Sequence, residues 1–321
     1  MKKWKSVYWI YILLVVALCF VPFITDNDYY HKLFNRSLIN IIVVLGLNFI
    51  TGLTGQMNLG MAGIFALGAY TSALLTTKLA VSPWIGLLAA VFMGVIIGLM
   101  LGWPSLKVKG IYLALTTIGF GEIVRLVLTN AASFTGGPQG VLNIPSYSFF
   151  GIDLSKDSEL YYMLLAITIL AVIIAVRVIN SRWGRSFKAI RDNDTAVEAC
   201  GINVANIKIT AFVLSAVFTS VAGALYAHLY GYINPSDFNF VMSVRFIMML
   251  MFGGVGSVPG NIIGGTVITL LPEFLRFLQD YYWLIFSVIV FLCVMFLPDG
   301  VVSLFKFKKR PKAAGSVKDG E

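Results

Sequence analysis

Apolar residues along this chain fall in long blocks rather than in alternation or narrow stripes, and short polar segments separate the blocks. A helix needs about twenty mostly apolar residues to cross a hydrocarbon core. On that ruler the pattern predicts spans at 7–23, 38–53, 57–75, 84–103, 111–128, 160–179, 207–231, 241–255, 260–275 and 281–298. Gly52, Gly55 and Gly60 interrupt the second and third blocks, and Gly253, Gly254, Gly256 and Pro259 split the eighth and ninth. The expected fold is all-α, a polytopic transmembrane protein of about eight to ten spans with some broken or short and glycine-rich. Residues 1–305 make one membrane domain and 306–321 a basic tail.

Two polar stretches depart from this pattern. The first, 181–206, is a long basic run between two apolar blocks and carries Arg182, Arg185, Lys188 and Arg191. Thr195 and Glu198 have the spacing of a capping box, and Gly201 can supply the left-handed residue that closes a helix. These predict a short helix from about Ala196 to Cys200, after a turn at Asp192–Asp194. Such a helix suits docking of a soluble partner; a loop made basic by topology alone is the competing reading. The second stretch, 129–159, holds Gly136, Gly137, Pro138 and Gly140, then Tyr147, Phe149 and Phe150. A connection this long is often functional, and an interfacial aromatic belt competes with a docking role.

Composition narrows the class. Of 321 residues 58% are hydrophobic and 12% charged, about half the charged share of a soluble domain. The net charge of +9 does not point to nucleic acid, because the cations sit at the ends of apolar blocks. With the N-terminus inside, 17 of the 24 Lys and Arg fall on inner segments and the tail. That asymmetry predicts that both termini and the 181–206 segment face the cytoplasm. The apolar run after Lys2, Lys3 and Lys5 is long and lacks an A-x-A site, so it reads as a retained span rather than a cleaved leader.

Cys19, Cys200 and Cys293 lie far apart, and His31 and His228 belong to no metal motif, so no metal site is expected. Neither a G-x-S-x-G nor a P-loop is present, so any ATP hydrolysis must come from another subunit. Glu122 with Arg125 and Glu273 with Arg276 are spaced to neutralise each other on one helix face. The two glycine-rich breaks remain. Irregular backbone at membrane depth is tolerated where it is buried or lines a watery path. Paired breaks in two halves of a chain suit a transport pathway, and close packing with a tight turn is the alternative. Gln56 and Asn58 lie in the first break.

Four stretches carry a family resemblance: LNFITGLTGQMNLGMAGIFALGAY at Leu47–Tyr70, GIYLALTTIGFGEIVRLVLTN followed by TGGPQGV within Gly110–Val141, WGRSFKAIRDNDTAVEACGINVANIKITAFVLSAVFTSVAGAL at Trp183–Leu225, and MFGGVGSVPGNIIGGTV leading to LPEFLR at Leu271–Arg276. In this order they resemble the longer permease type of branched-chain amino acid ABC importers. The resemblance implies pairing with a second homologous permease, two cytoplasmic ATP-binding subunits and an extracytoplasmic amino acid-binding protein. It implies residence in a bacterial cell membrane, no catalysis and no bound cofactor in this chain, with ATP-Mg held by the partner ATPases. Gly184, Arg185, Ala189, Arg191, Glu198, Ala199 and Gly201 match the family's coupling segment, which Cys200 departs from where a leucine-like residue is usual. Gln56, Asn58, Thr116 and Thr117 could supply polar groups along the substrate path. Related permeases carry urea or short amides, which stays open, as do an ion-coupled amino acid carrier and a scaffold without transport.

Overall fold

The computed structural model describes residues 28–149, 152–153 and 156–275, with isolated positions between 285 and 301. The expected span at 7–23 and the tail lie outside the described residues, as does nearly all of the span at 281–298.

Helix α1 (Asp28–Leu47) continues into a π-helical turn (Asn48–Leu53), where the first glycine-rich break begins. An extended stretch through Gly60 leads to α2 (Met61–Lys78), and α3 (Pro83–Gly102) follows with proline in its first turn. That position suits proline because its missing N–H would have no partner inside the helix. After a 3-10 turn (Pro104–Leu106) come α4 (Ile111–Asn130) and the one-turn α5 (Ala132–Thr135). A two-residue hairpin, β1 (Ser148–Phe149) with β2 (Ile152–Asp153), precedes α6 (Asp157–Asn180). Then follow α7 (Arg182–Asp192), α8 (Asp194–Ala199), α9 (Val204–Tyr230), α10 (Phe240–Gly253) and α11 (Val258–Phe274).

Five helical segments among the described residues are long and apolar enough to cross a membrane: Asp28–Leu53, Pro83–Leu106, Ile111–Asn130, Asp157–Asn180 and Val204–Tyr230. The protein is an all-α, multi-pass membrane protein. Among the described residues the helices begin and end within a few residues of the predicted spans, except that α1 starts ten residues before the span expected at 38–53, and both breaks fall where glycine placed them.

Helix α9 is the hub, packed on α1, α2 and α3. Small residues make this possible. A Cβ on Gly94 of α3 would lie 2.7 Å from Val217 Cα, and one on Gly98 would lie 2.5 Å from Val213 Cα, so the two backbones are in direct contact. In lipid, where burial of apolar surface adds little, such close packing drives helix association. Helix α1 is buried along most of its length, whereas α3, α4 and α6 each leave an apolar face outward.

Described residues of the connection 129–159 pack onto the bundle. Tyr147 is fully buried, with its ring 5.2 Å from that of Trp84 and 4.7 Å from that of His228. His228 bridges Ser72 Oγ at 2.8 Å and the Pro145 carbonyl at 2.6 Å, and Trp84 Nε1 donates to the Ser148 carbonyl at 2.8 Å. Val141 and Ile233 exchange backbone hydrogen bonds, and Ile144 N donates to Gly231 O. Burial pushes the Tyr147 phenol up from its ordinary value. The segment caps one end of the bundle, and α7 and α8 occupy the other.

Candidate coupling and translocation site

Helix α7 is amphipathic. Gly184, Phe187 and Ile190 are buried at intervals of three, while Arg182, Arg185 and Lys188 stand exposed on the opposite side. Its first turn is capped by Ser181, whose hydroxyl accepts from Trp183 N at 3.1 Å. Asn193 breaks the backbone with an extended conformation and caps α8, its Oδ1 accepting from Thr195 N at 3.0 Å and Ala196 N at 3.1 Å. This corrects the predicted capping box. Asn193 rather than Thr195 starts the helix, which runs from Asp194 to Ala199, and a second helix precedes it. Gly201 does adopt the left-handed conformation, with φ +76, just past the end.

Three polar contacts anchor this helical pair to the bundle. Arg191 Nη1 donates to the carbonyl of Gly52 at 2.8 Å, across 139 residues of sequence, while its stem covers Gly55. Asp194 accepts from Lys208 Nζ of α9 at 2.5 Å and from Lys109 Nζ, just before α4, at 3.1 Å. Burial pushes the Asp194 carboxyl up, but the two ammonium groups outweigh it and hold the acid below the ordinary carboxylate value. Lys208 is itself buried, so this pair is partly desolvated.

The carbonyl that Arg191 holds belongs to the point where both glycine-rich breaks meet. Asn48 Oδ1 accepts from Gly256 N at 2.8 Å, tying the end of α1 to the turn between α10 and α11. A Cβ on Gly52 would collide with Asn48 Oδ1 and come within 3.1 Å of Gly256 N, so a larger residue there would displace the Asn48 side chain from its tie. Gly254 and Gly256 both have positive φ, which lets the chain reverse between α10 and α11. Buried amides gather at these breaks. Among the described residues Asn48 Nδ2, Asn58 Nδ2 and both polar atoms of Asn261 have no hydrogen-bond partner. Buried polar groups are paired in the great majority of cases, so these amides are exceptions to that rule.

Of the residues expected along the path, three come together. Asn58 Oδ1 accepts from Gly60 N at 2.9 Å, and Thr117 Oγ1 accepts from Leu59 N at 3.0 Å, so both hold the extended segment of the first break. Gln56 Nε2 donates to Thr54 Oγ1 at 2.9 Å on the same segment. Thr116 is separate: it lies on the exposed face of α4 and donates to the Tyr112 carbonyl of its own helix at 2.9 Å.

The residues expected for partner contact also divide. Arg185, Glu198, Ala199 and Gly201 are exposed. Gly184 faces inward, where a Cβ would lie 2.5 Å from the Ile179 carbonyl carbon, and Ala189 packs on the core. Asn48 and Asn261 are members of the site that sequence reasoning missed. The signal available for them was an asparagine inside each of two apolar blocks, close to a glycine-rich break.

Residues 29–295 match the family model described as the permease component of the branched-chain amino acid transport system. The chain is 31% identical over 315 residues to a high-affinity branched-chain amino acid transport system permease protein LivM from Salmonella typhimurium, covering 91% of this chain and 74% of that one. It is 32% identical to the Escherichia coli K12 protein of the same name, over 84% and 68% of the two chains. It is also 24% identical to the Escherichia coli K12 permease LivH, over 81% and 90%. No solved structure matches. By the extent of these matches, this multi-pass protein belongs to the family of permease components of branched-chain amino acid transport systems.

Proposed function

We propose that this chain is one of two membrane-spanning permease subunits of an ABC importer, which carries branched-chain amino acids across a bacterial cell membrane. The resemblance to both LivM and LivH supports a two-permease assembly. In this reading two cytoplasmic ATPases bind ATP-Mg and do the hydrolysis, an extracytoplasmic binding protein delivers substrate, and this chain neither catalyses a reaction nor binds a cofactor. The termini and α7–α8 face the cytoplasm, in keeping with the excess of Lys and Arg at that end.

The single observation that carries the mechanism is the Arg191 bond to the Gly52 carbonyl. The exposed basic face of α7, with Glu198 and Ala199 of α8, forms the surface for the ATPases. When the ATPases close, α7 moves with them. Arg191 then pulls on the carbonyl that sits beside the Asn48–Gly256 tie, and the two breaks part. Asn48, Asn58 and Asn261 thereby gain polar partners from the substrate or its water. Alternating access needs such a bistable element that the energy source can bias.

An ion-coupled carrier finds less support, because Glu122 is engaged by Arg125 through two Nε contacts at 3.0 and 3.1 Å. The test is co-purification of the ATPases with the wild-type chain and with Arg185→Glu combined with Lys188→Glu. Retention by the wild type and loss in the variant are expected. An equal yield of ATPases with both chains would overturn the assignment of this face.

A further inference from the structure

A cavity of about 250 Å³ lies between α1, α10 and α11, on the side of the bundle where α1 begins. That is the capped end: Lys32 Nζ lies 3.7 Å from the Asp157 carboxylate, and Asn35 Nδ2 donates to the Asp157 carbonyl at 3.0 Å. Arg36 of α1 and Arg245 of α10 supply guanidinium groups to the walls, and Glu273 of α11 supplies a carboxylate that accepts a hydrogen bond from Tyr29 Oη. Met249 and Ile268 add apolar surface. The deep side is closed by Asn40 Nδ2 donating to Thr269 Oγ1 at 2.8 Å, and both residues are buried.

Two cations, one anion and an apolar wall in one small space are complementary to a zwitterion with a short aliphatic side chain. A guanidinium binds a carboxylate through two parallel N–H donors, and an oriented carboxylate accepts from an ammonium. Arg36 and Asn40 lie about one turn apart on α1, and Asn48 opens the π-helical turn that follows it. The tie of Asn40 to Thr269 thus closes the cavity on the side towards the tie of Asn48 to Gly256, about 18 Å along the helix from Arg36.

We propose that this cavity is the receiving subsite of the permease, where Arg36 and Arg245 hold the substrate carboxylate and Glu273 holds its ammonium. The proposal rests on the reading of the chain as an amino acid permease and gives that reading a place of first contact. Opening of the Asn40–Thr269 contact then releases the substrate from the subsite towards the junction of the two breaks.

The experiment uses the assembled importer in proteoliposomes and measures ATP-driven uptake of leucine, leucinamide and 4-methylpentanoate. The last two lack the carboxylate and the ammonium respectively. Glu273→Gln should lower the preference for leucine over 4-methylpentanoate by about tenfold or more, the worth of one charged hydrogen bond, and leave the preference over leucinamide unchanged. Arg245→Gln should do the reverse, and Arg245→Lys should restore part of the loss. Retention of the ATPases by each variant shows that it is folded and assembled. Wild-type leucine uptake with the same preferences in all variants would overturn the subsite and leave the importer reading standing. An assembled wild-type importer that moves no leucine would overturn both.

Discussion

The two ends of this bundle are held by different chemistry. At the capped end, a fully buried tyrosine, a histidine bridging two partners and a short backbone ladder fasten the 129–159 segment to α2, α3 and α9. At the basic end, long charged side chains reach from an amphipathic surface helix pair: Arg191 to one carbonyl, and Asp194 to two lysines. Buried packing is stiff, because interiors are close-packed and small displacements lose many contacts. Long side chains with charged tips keep a bond while the backbone beneath them shifts. Under the proposed function, the contrast would place rigidity where substrate arrives and compliance where force is applied.

The largest expected effect lies at the stiff end. Tyr147→Ala empties a buried aromatic site and should cost about 3–5 kcal/mol of stability. The measurement is thermal unfolding in detergent, with uptake expressed per folded molecule, which should stay near wild type. Tyr147→Phe sharpens the point, because the hydroxyl has no hydrogen-bond partner among the described residues. Its removal should leave stability unchanged or slightly raised.

At the compliant end, Asp194→Asn should cost about 2 kcal/mol, since it weakens charge-assisted bonds to the buried Lys208. The pH dependence has a definite sign. The Asp194 acid titrates lower in the folded chain than in the unfolded one. Its contribution is therefore complete above the ordinary carboxylate value of about 3.9 and fades as pH falls through the lower folded value. The difference in melting temperature between wild type and Asp194→Asn should narrow on acidification through that window, and a constant difference would remove the ion pairs from the account. Asn193→Ala removes one cap and should cost about 1 kcal/mol. Hydrogen exchange should report the loss in α8 and not at the capped end.

The smallest effects separate two neighbouring threonines. Thr117→Val frees the Leu59 amide and should slow uptake. Thr116→Ala, on the exposed face of α4, should stay within about 0.5 kcal/mol and leave uptake unchanged. Equal effects of the two substitutions would mean that the first break does not matter to transport.

This pair also shows what the sequence could and could not give. Adjacent helical residues point about 100° apart, so a doublet suggests polarity on a span without saying which member faces inward. The spans and both breaks were legible because twenty-residue apolar blocks and glycine clusters are local signals. The cap of α8 was misread because Asn193 and Thr195 are both good capping residues two positions apart, and Asn193 takes the extended conformation that a cap requires. The centre of the site was beyond reach for a different reason. The Arg191–Gly52 and Asn48–Gly256 bonds join residues 139 and 208 positions apart, and local pattern carries no information about such pairs. Arg191 looked like one more member of an exposed basic run, and its role came from where α7 is docked.

The central claim is that Arg191 transmits force from the docking surface to the junction of the breaks. Arg191→Met keeps the apolar stem over Gly55 and removes the donor to Gly52. In the reconstituted importer, the variant should retain its ATPases and hydrolyse ATP while uptake of leucine falls by about tenfold or more, the equivalent of one charged hydrogen bond. Uptake at the wild-type rate, with the ATPases still bound, would contradict the account.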